Sequence, residues 1–238
     1  MLVQRGLSMQ KVLLAACAAS LLGIGASAAA DLPTMKSAPL MPAPAAVSWT
    51  GCYVGAVGGI ASGHSDMHFA SDGSLAASNS PSSGEIGATV GCDWQTSSFV
   101  FGALADLAWS DLNASSADIA NTSYTLGVKS DWSNTDRLRV GYAWGPALLY
   151  ATGGLSVRDV GAYESATGTP QETIWKTRTG WNIGAGVEFL VLPHVSLKGE
   201  YLYEDFGNSL YTWSTAGFSP KHVNLNDNLF RVGLNYHF

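Results

Sequence analysis

The chain has 238 residues and a formal net charge of −6, and only 13% of its residues are charged, whereas soluble domains carry about 25%. The acidic balance and the lack of any basic cluster argue against a nucleic-acid partner, which would need a basic patch. A chain this poor in charge needs either a large core or an apolar solvent.

Residues 1–30 have the layout of a secretory signal peptide. Arg5 and Lys11 precede the apolar run VLLAACAASLLGIGASAAA, and small residues close it. This arrangement predicts cleavage near Ala28 or Ala30. The run is rich in Ala and Gly and short for a membrane helix, but a retained anchor stays open as an alternative.

Two further features lie in or next to this segment. The sequence LAAC at 14–17 resembles a bacterial lipoprotein box, although the apolar run continues well past Cys17. Residues 31–48 are rich in Pro and Ala and show no periodicity. That composition predicts a flexible periplasmic linker outside the folded unit.

After the linker, apolar residues recur at every second position, which indicates β-strands. In segment 85–95, for example, Ile86 and Trp94 share one face, while Glu85 and Asp93 share the other. Each segment spans about ten residues, the length of a tilted transmembrane strand rather than of a soluble one. The clear segments are 85–95, 99–110, 134–144, 180–189, 195–204 and 228–238, and two glycine-rich, weaker ones are 51–60 and 147–157.

The connections between these segments alternate in length. Three are short, TSS, GP and LVLPH, and the others are long and rich in Ser, Asn, Asp and Thr. Short turns at one end and long loops at the other are typical of outer-membrane barrels. The sequence therefore predicts an all-β fold over 49–238: an eight-stranded antiparallel up-and-down transmembrane β-barrel. Its turns would be periplasmic, its long loops extracellular and both termini periplasmic. A soluble lipocalin-like or sandwich fold is the alternative.

The polar face of the strands carries glycines and a few charges of both signs. This composition suits a narrow barrel interior, where space is limited and ions must pair. Turning Arg231 toward lipid would cost about 2–4 kcal/mol at the midplane. We expect an internal charge network formed by Asp106, Arg137, Arg139, Glu188, Lys198, Glu200 and Arg231. Aromatic residues near the strand ends, among them Trp49 and Tyr53, are expected at the membrane interfaces.

Four stretches, SWTGCYVGAVGG, GWNIGAGVEF, LKGEYLYEDFG and FRVGLNYHF, resemble the small outer-membrane β-barrel proteins of alphaproteobacteria, in the porin-like, opacity/OmpA-barrel superfamily. The resemblance covers about residues 48–238. It implies an eight-stranded barrel in the outer membrane and a structural role in envelope integrity. We expect no peptidoglycan-binding domain after Phe238, in contrast to full-length OmpA.

The resemblance also implies partners. In this family a terminal aromatic belongs to the strand signal that the barrel-assembly machinery reads, which assigns an assembly role to Tyr236 and Phe238. Outer-membrane lipid and lipopolysaccharide are the expected surroundings. Any surface ligand of the loops stays unidentified.

Cys52 and Cys92 form an even pair in an oxidising compartment once the signal peptide has left. They lie near the start of the first strand and the end of the second. Adjacent antiparallel strands bring paired Cα atoms to about 5.5 Å, within disulfide range. We expect a Cys52–Cys92 disulfide, with two separate small lipid-facing residues as the alternative.

The sequence contains one candidate catalytic set. His64, Ser65 and His68 lie near Asp66 and Asp72 in the expected first loop and could form a hydrolase set, but such loops are rich in these residues anyway. The remaining histidines lack metal-ligand spacing, and we expect no cofactor or metal. The favoured function is structural and non-enzymatic: the protein would support envelope integrity and surface interactions through its long loops. A narrow porin-like pore and a loop-mediated adhesin or receptor are the alternatives.

Overall fold

The computed structural model describes residues 47–166, 169–215 and 217–238, with residues 169 and 170 described by their backbone alone. The predicted signal peptide and all but the end of the predicted linker lie outside the described residues. The described part contains nine β-strands: β1 Gly51–Phe69, β2 Leu75–Asn79, β3 Ser82–Thr96, β4 Phe99–Ala117, β5 Tyr124–Trp144, β6 Ala147–Ala166, β7 Thr169–Leu192, β8 Val195–Tyr211 and β9 Lys221–His237.

The strands form one closed antiparallel barrel. Each strand pairs with its neighbour in the chain, and β1 closes the ring by pairing with β9 from Tyr53↔His237 to Phe69↔Lys221. Both β2 and β3 pair with β1, so together they occupy one position of the ring. The strand is interrupted at residues 80–81, where Pro81 has no N–H to donate. The ring therefore has eight positions, and the predicted eight-stranded antiparallel barrel is confirmed.

The strands are longer than the sequence pattern indicates. The predicted segments covered about ten residues each, whereas β4 to β7 have 19 to 24 residues. Most of each expected long loop is therefore strand. At this end, which we call the loop rim, the connections 70–74, 118–123 and 212–220 remain outside strands. At the other end, the turn rim, the connections are 97–98, 145–146 and 193–194.

The sequence pattern underestimates the length of the strands because their apolar residues move from the outer to the inner face of the barrel wall along each strand. Near the turn rim, Phe230 and Val232 of β9 are more than half exposed and face outward. Near the loop rim, Val223 and Leu225 of the same strand are buried inside. In the half of the wall nearest the turn rim, the apolar side chains therefore face outward. In the half nearest the loop rim, they face inward and form a packed core.

The outward apolar residues form a continuous band around the half of the wall nearest the turn rim, which we call the belt. About ten residues per strand, at about 3.3 Å each and a tilt near 40°, give a height near 25 Å, that of an outer-membrane barrel's apolar band. Asp136 lies on the outward face between Leu138 and Asn134. The belt includes Ile60, Ile86, Val90, Phe99, Leu107, Leu138, Val140, Leu149, Leu155, Ile183, Val187, Leu197, Phe230, Val232 and Leu234.

No helix among the described residues is long and apolar enough to cross a bilayer.

Candidate functional site

The barrel interior holds three tiers of buried charge, and the tier nearest the turn rim centres on Arg139. Its Nε donates to Asp93 Oδ1 at 2.7 Å, and its Nη1 donates to Glu188 Oε2 at 2.8 Å. The guanidinium carbon also lies 4.9 Å from the ring centre of Tyr53 and 5.2 Å from that of Tyr150. Arginine suits this position because its planar fork satisfies two carboxylates and stacks on aromatic faces.

The middle tier centres on Asp106. Arg137 pairs with this carboxylate and reaches Glu200 Oε1 with Nη1 at 2.8 Å. Arg231 Nη1 lies 3.5 Å from Asp106 Oδ2, and Lys198 Nζ lies 3.9 Å from Oδ1. The three cations converge on one carboxylate, so the tier links β4, β5, β8 and β9 across the lumen.

The third tier centres on Arg158 of β6. This guanidinium pairs with Glu204 at 2.9 Å and with Asp227. Ser156 donates to Glu204 at 2.7 Å, and Asn182 donates to Ser156 at 2.9 Å. The tier thus ties four consecutive strands, β6 to β9, to one another through side chains.

The structure brings together most of the charges expected from the sequence. Arg137 meets Asp106 and Glu200, Arg139 meets Glu188, and Arg231 and Lys198 approach Asp106. Sequence reasoning did not include Asp93, Glu85, Arg158, Glu204 and Asp227 in the network. Glu85, which pairs with Arg231, and Asp93 lie on the polar face of segment 85–95, so that pattern could have identified them. Arg158 and Asp227 flank the segments that the prediction recognised.

An apolar cluster fills the interior between the third tier and the loop rim. Met67, Leu126, Tyr211 and Val223 are buried there, with Trp213 and Phe218 from the β8–β9 connection packed against them. The buried pair of Lys221 and Glu164, 2.8 Å apart, borders this cluster. Polar tiers and apolar cluster together occupy successive levels of the lumen.

The β8–β9 connection is fixed to the wall through Glu172 of β7. The backbone N–H groups of Ser214 and Thr215 each donate to its carboxylate at 2.8 Å. Hydrogen bonds from Thr215, the largest contribution, and from Ser214 hold the pKa of this carboxyl below its usual range.

The candidate hydrolase residues do not form a catalytic set. They lie in β1 rather than in a loop, apart from Asp72 in the connection after it. His64 Nε2 lies 3.1 Å from Asp66 Oδ2, but Ser65 is fully buried on the opposite, inner face. Alternation along the strand therefore separates the serine from the histidine. Among the described residues no group of three or more His, Cys, Asp or Glu side chains could hold a metal ion.

Cys52 and Cys92 form a disulfide in the structure. The two residues are direct partners in the β1–β3 register, with Cα atoms 3.9 Å apart. Both lie on the outward face, next to the turn rim.

The expected interface aromatics divide into two groups. Trp49 and Tyr53 are buried in the interior, so their expected interface position is wrong. Tyr53 faces inward because its neighbour Cys52 takes the outward position. Tyr236 and Phe238 do lie on the outside at the turn rim, with ring centres 5.5 Å apart. The Phe238 N–H donates to the Cys52 carbonyl at 3.0 Å, which ties the chain end to β1.

A closed antiparallel barrel with an apolar outer belt and a charged interior defines the class of outer-membrane β-barrel proteins. Comparison with known families agrees. Residues 16–238 match the model of the outer membrane protein beta-barrel domain family, and the chain belongs to this family.

Curated relatives support the same assignment. The chain is 33% identical over 246 residues to the 31 kDa outer-membrane immunogenic protein of Brucella melitensis, covering 97% of this chain and 100% of that protein. It is 31% identical to the 22 kDa outer membrane protein of Rhizobium leguminosarum bv. viciae, covering 85% and 83% of the two chains. The outer membrane is therefore the location of this protein, among membrane lipids.

Among solved structures, the outer membrane protein OprG from Pseudomonas aeruginosa is similar in fold. The TM-score is 0.50 at 13% sequence identity, and the match covers 81% of this chain and 98% of OprG. At that identity the similarity concerns the fold alone.

Proposed function

We propose that this protein is a structural, non-catalytic component of the outer membrane that supports envelope integrity. The observation that carries the proposal is the occupied lumen. A wide pore needs a polar, water-filled interior, whereas an eight-stranded ring is just wide enough for side chains to fill. Here arginines bridge the ring at three levels, and an apolar cluster occupies the loop-rim end.

The proposal includes an orientation, with the turn rim and both termini on the periplasmic side and the loop rim outside the cell. The short turns support it, since bacterial barrels keep short connections on the periplasmic side. A cysteine placed in the 70–74 connection of the Cys52→Ser/Cys92→Ser variant tests it. An impermeant maleimide should label that cysteine in intact cells, whereas labelling after lysis alone would reverse the orientation.

Tyr236 and Phe238 are proposed to be read by the barrel-assembly machinery during insertion. Their exposed rings at the end of β9 support this, because the closing strand must stay recognisable before it pairs with β1. Phe238→Ala should lower the amount of heat-modifiable barrel in the outer membrane. Phe99→Ala, which removes another aromatic that is more than half exposed at the same rim, should lower it less. Equal losses would assign both rings to membrane anchoring alone.

A deletion strain tests the structural role. Loss of the protein should increase uptake of a hydrophobic dye and release of periplasmic enzyme, and a chromosomal copy should reverse both. The Arg158→Met variant should restore dye uptake and enzyme release toward wild-type levels only to the extent that folded barrel is present in the membrane. An intact envelope in the deletion strain would contradict the structural role and favour the loop-mediated adhesin or receptor.

A further inference from the structure

The pairing between β7 and β8 stops partway along the two strands. Their register ends at Trp181↔Asp205. Beyond that pair, β7 continues to pair with β6 and β8 continues to pair with β9, but the two strands no longer pair with each other. Among the described residues, the loop-rim part of β7 therefore has a ladder partner on one side only. We call residues 171–179 of β7 the free edge.

Side chains of β7 span the gap where the ladder is missing. Arg178 Nη2 donates to the Phe206 carbonyl at 2.9 Å and also to the Gly207 carbonyl. The Lys176 ammonium donates to the Leu210 carbonyl. A long side chain separates two strands further than a ladder does, since ladder hydrogen bonds hold neighbouring strands about 4.8 Å apart. In the described part of the chain, the backbone groups of the free edge that point toward β8 therefore lack a strand partner.

The loop-rim part of β8 lies toward the lumen rather than beside β7. The hydroxyl of Tyr211, a fully buried residue of β8, donates to the Val160 carbonyl of β6 at 3.3 Å. The free edge is correspondingly open. Trp175, Lys176 and Thr177 are all exposed, whereas successive residues of a strand point to opposite faces of the sheet, so burial normally alternates. Exposure of three consecutive residues is what an uncovered edge produces.

An open edge of this kind is a template for a further strand. Residues 171–179 correspond to about 30 Å of extended chain. Ile183 is the belt residue of β7 nearest the loop rim, so the free edge lies outside the apolar band, where a water-soluble segment can reach it. Main-chain hydrogen bonds to an added strand give affinity, and alternate side chains give specificity. The free edge is also rich in residue types that favour strands, namely Thr173, Ile174, Trp175, Thr177 and Thr179.

The charges on the inner face of the free edge select the chemistry of the added strand. Arg178 is only 3% exposed, yet its Nε and Nη1 have no hydrogen-bond partner among the described residues. Lys176 and Arg178 both donate to backbone carbonyls, and to no carboxylate in the described part of the chain. Glu172, on the same face, already accepts two backbone N–H groups. A strand with carboxylates at alternate positions would supply the missing anions.

A second copy of this chain fits the free edge less well. In a two-fold antiparallel pairing centred on Thr177, Lys176 of each copy would lie opposite Arg178 of the other. Like charges directly opposite each other on paired strands are destabilising. The same cations attract a foreign strand that is acidic, so the edge favours another protein over itself.

We propose that the free edge binds an extended, acidic peptide segment of another protein as an added β-strand. The inference goes beyond the proposed structural role, because it gives the barrel a protein partner. The location of that partner outside the cell rests on the proposed orientation, whereas the binding itself does not.

Fluorescence anisotropy tests the inference with the full-length mature barrel in phosphatidylcholine nanodiscs. The probe is a fluorescein-labelled nonapeptide in which Thr and Glu alternate. It should bind saturably and slow amide hydrogen exchange in residues 171–179. A matched peptide with Lys in place of Glu should bind at least about tenfold more weakly. A matched Glu peptide with N-methyl groups on three consecutive central amides should also lose about tenfold or more, because it cannot donate to the edge.

Two variants locate the binding on the barrel. Lys176→Glu should weaken binding of the Glu peptide about tenfold, because an attraction becomes a repulsion. Lys129→Glu is the matched control and should change nothing, because Lys129 lies on β5, which pairs with both neighbours at that residue. Each variant is first checked for the heat-dependent gel shift of the wild type. Lys176→Gln, with a smaller expected loss, replaces Lys176→Glu if that variant folds poorly.

Four results would overturn the inference. They are no saturable binding of the Glu peptide, undiminished binding of the N-methylated peptide, an equal loss in Lys129→Glu, and protection of residues 171–179 that rises with barrel concentration in the absence of peptide. The last result would make a second copy the occupant. The maleimide and deletion experiments address the proposed function separately, because failure of this titration leaves orientation and envelope phenotype unaffected.

Discussion

Replacing Arg139 with Met should be among the most destabilising changes in the barrel. The side chain is 1% exposed and pairs with Asp93 and Glu188, whose side chains are fully buried. The substitution keeps most of the volume but leaves two buried carboxylates without their cation. Breaking a buried ion pair from one side costs about 3–5 kcal/mol, and we expect the free energy of unfolding to fall by about that amount. Urea titration in lipid vesicles, read by the heat-dependent gel shift, measures it.

The same reasoning predicts recovery. Arg139→Met combined with Asp93→Asn and Glu188→Gln removes the unpaired charges, so it should regain at least half of the loss. Lys176→Met is the control, because that exposed lysine pairs with no carboxylate in the described part of the chain. Its ammonium donates to the Leu210 carbonyl and lies 5.1 Å from the centre of the Tyr211 ring, so its loss should cost about 1 kcal/mol. A triple variant as unstable as the single one, or a single variant within about 1 kcal/mol of wild type, would refute the charge-pairing argument.

The remaining predictions concern the wall. Replacing Cys52 and Cys92 with Ser opens a loop with a sequence separation of 40, so the chain-entropy relation sets an upper limit of about 4 kcal/mol on the loss in urea titration; an unchanged midpoint would mean that the ring already constrains the two strands. Asp136→Leu should stabilise the barrel in lipid by about 1 kcal/mol, because it removes a lipid-facing carboxylate, and destabilisation would mean that Asp136 lies in the headgroup layer. Gly186→Ala should cost about 1–3 kcal/mol, since its Cβ would clash with the hydroxyl end of the Tyr150 ring. Gly199→Ala, where nothing lies within 4 Å, should be nearly neutral, and equal effects of the two substitutions would show that the tyrosine contact is unimportant.

The fold was predictable from the sequence where one physical environment acts along a whole segment. In segment 85–95 the outward apolar residues Ile86 and Trp94 alternate with Glu85 and Asp93, and the structure has the same alternation. The loop-rim half of each strand was missed because its apolar residues face inward. In β5, Leu126 and Leu138 are both even-numbered, but one is buried inside and the other faces out. The register shift between Lys129 and Ser133 changes the phase, and nothing in the local composition marks it.

The site was predictable in part for a related reason. A strand pattern indicates which face a charge occupies, so Arg137, Arg139 and Arg231 were recognised as interior residues. Which carboxylate each one meets depends on the stagger between strands on opposite sides of the ring. Arg158 and Asp227 come from strands separated by two others, and no local pattern specifies their height. The disulfide was easier, because Cys52 and Cys92 belong to adjacent strands joined by a single hairpin.

The most direct test of the account is solute passage through the purified barrel. Liposomes that contain the folded protein are diluted into isotonic arabinose, and swelling is followed by light scattering beside a general porin and empty vesicles. A lumen filled by three charged tiers and an apolar cluster predicts the rate of empty vesicles. Swelling at a rate close to that of the porin would contradict the filled-lumen account and establish the pore as the function.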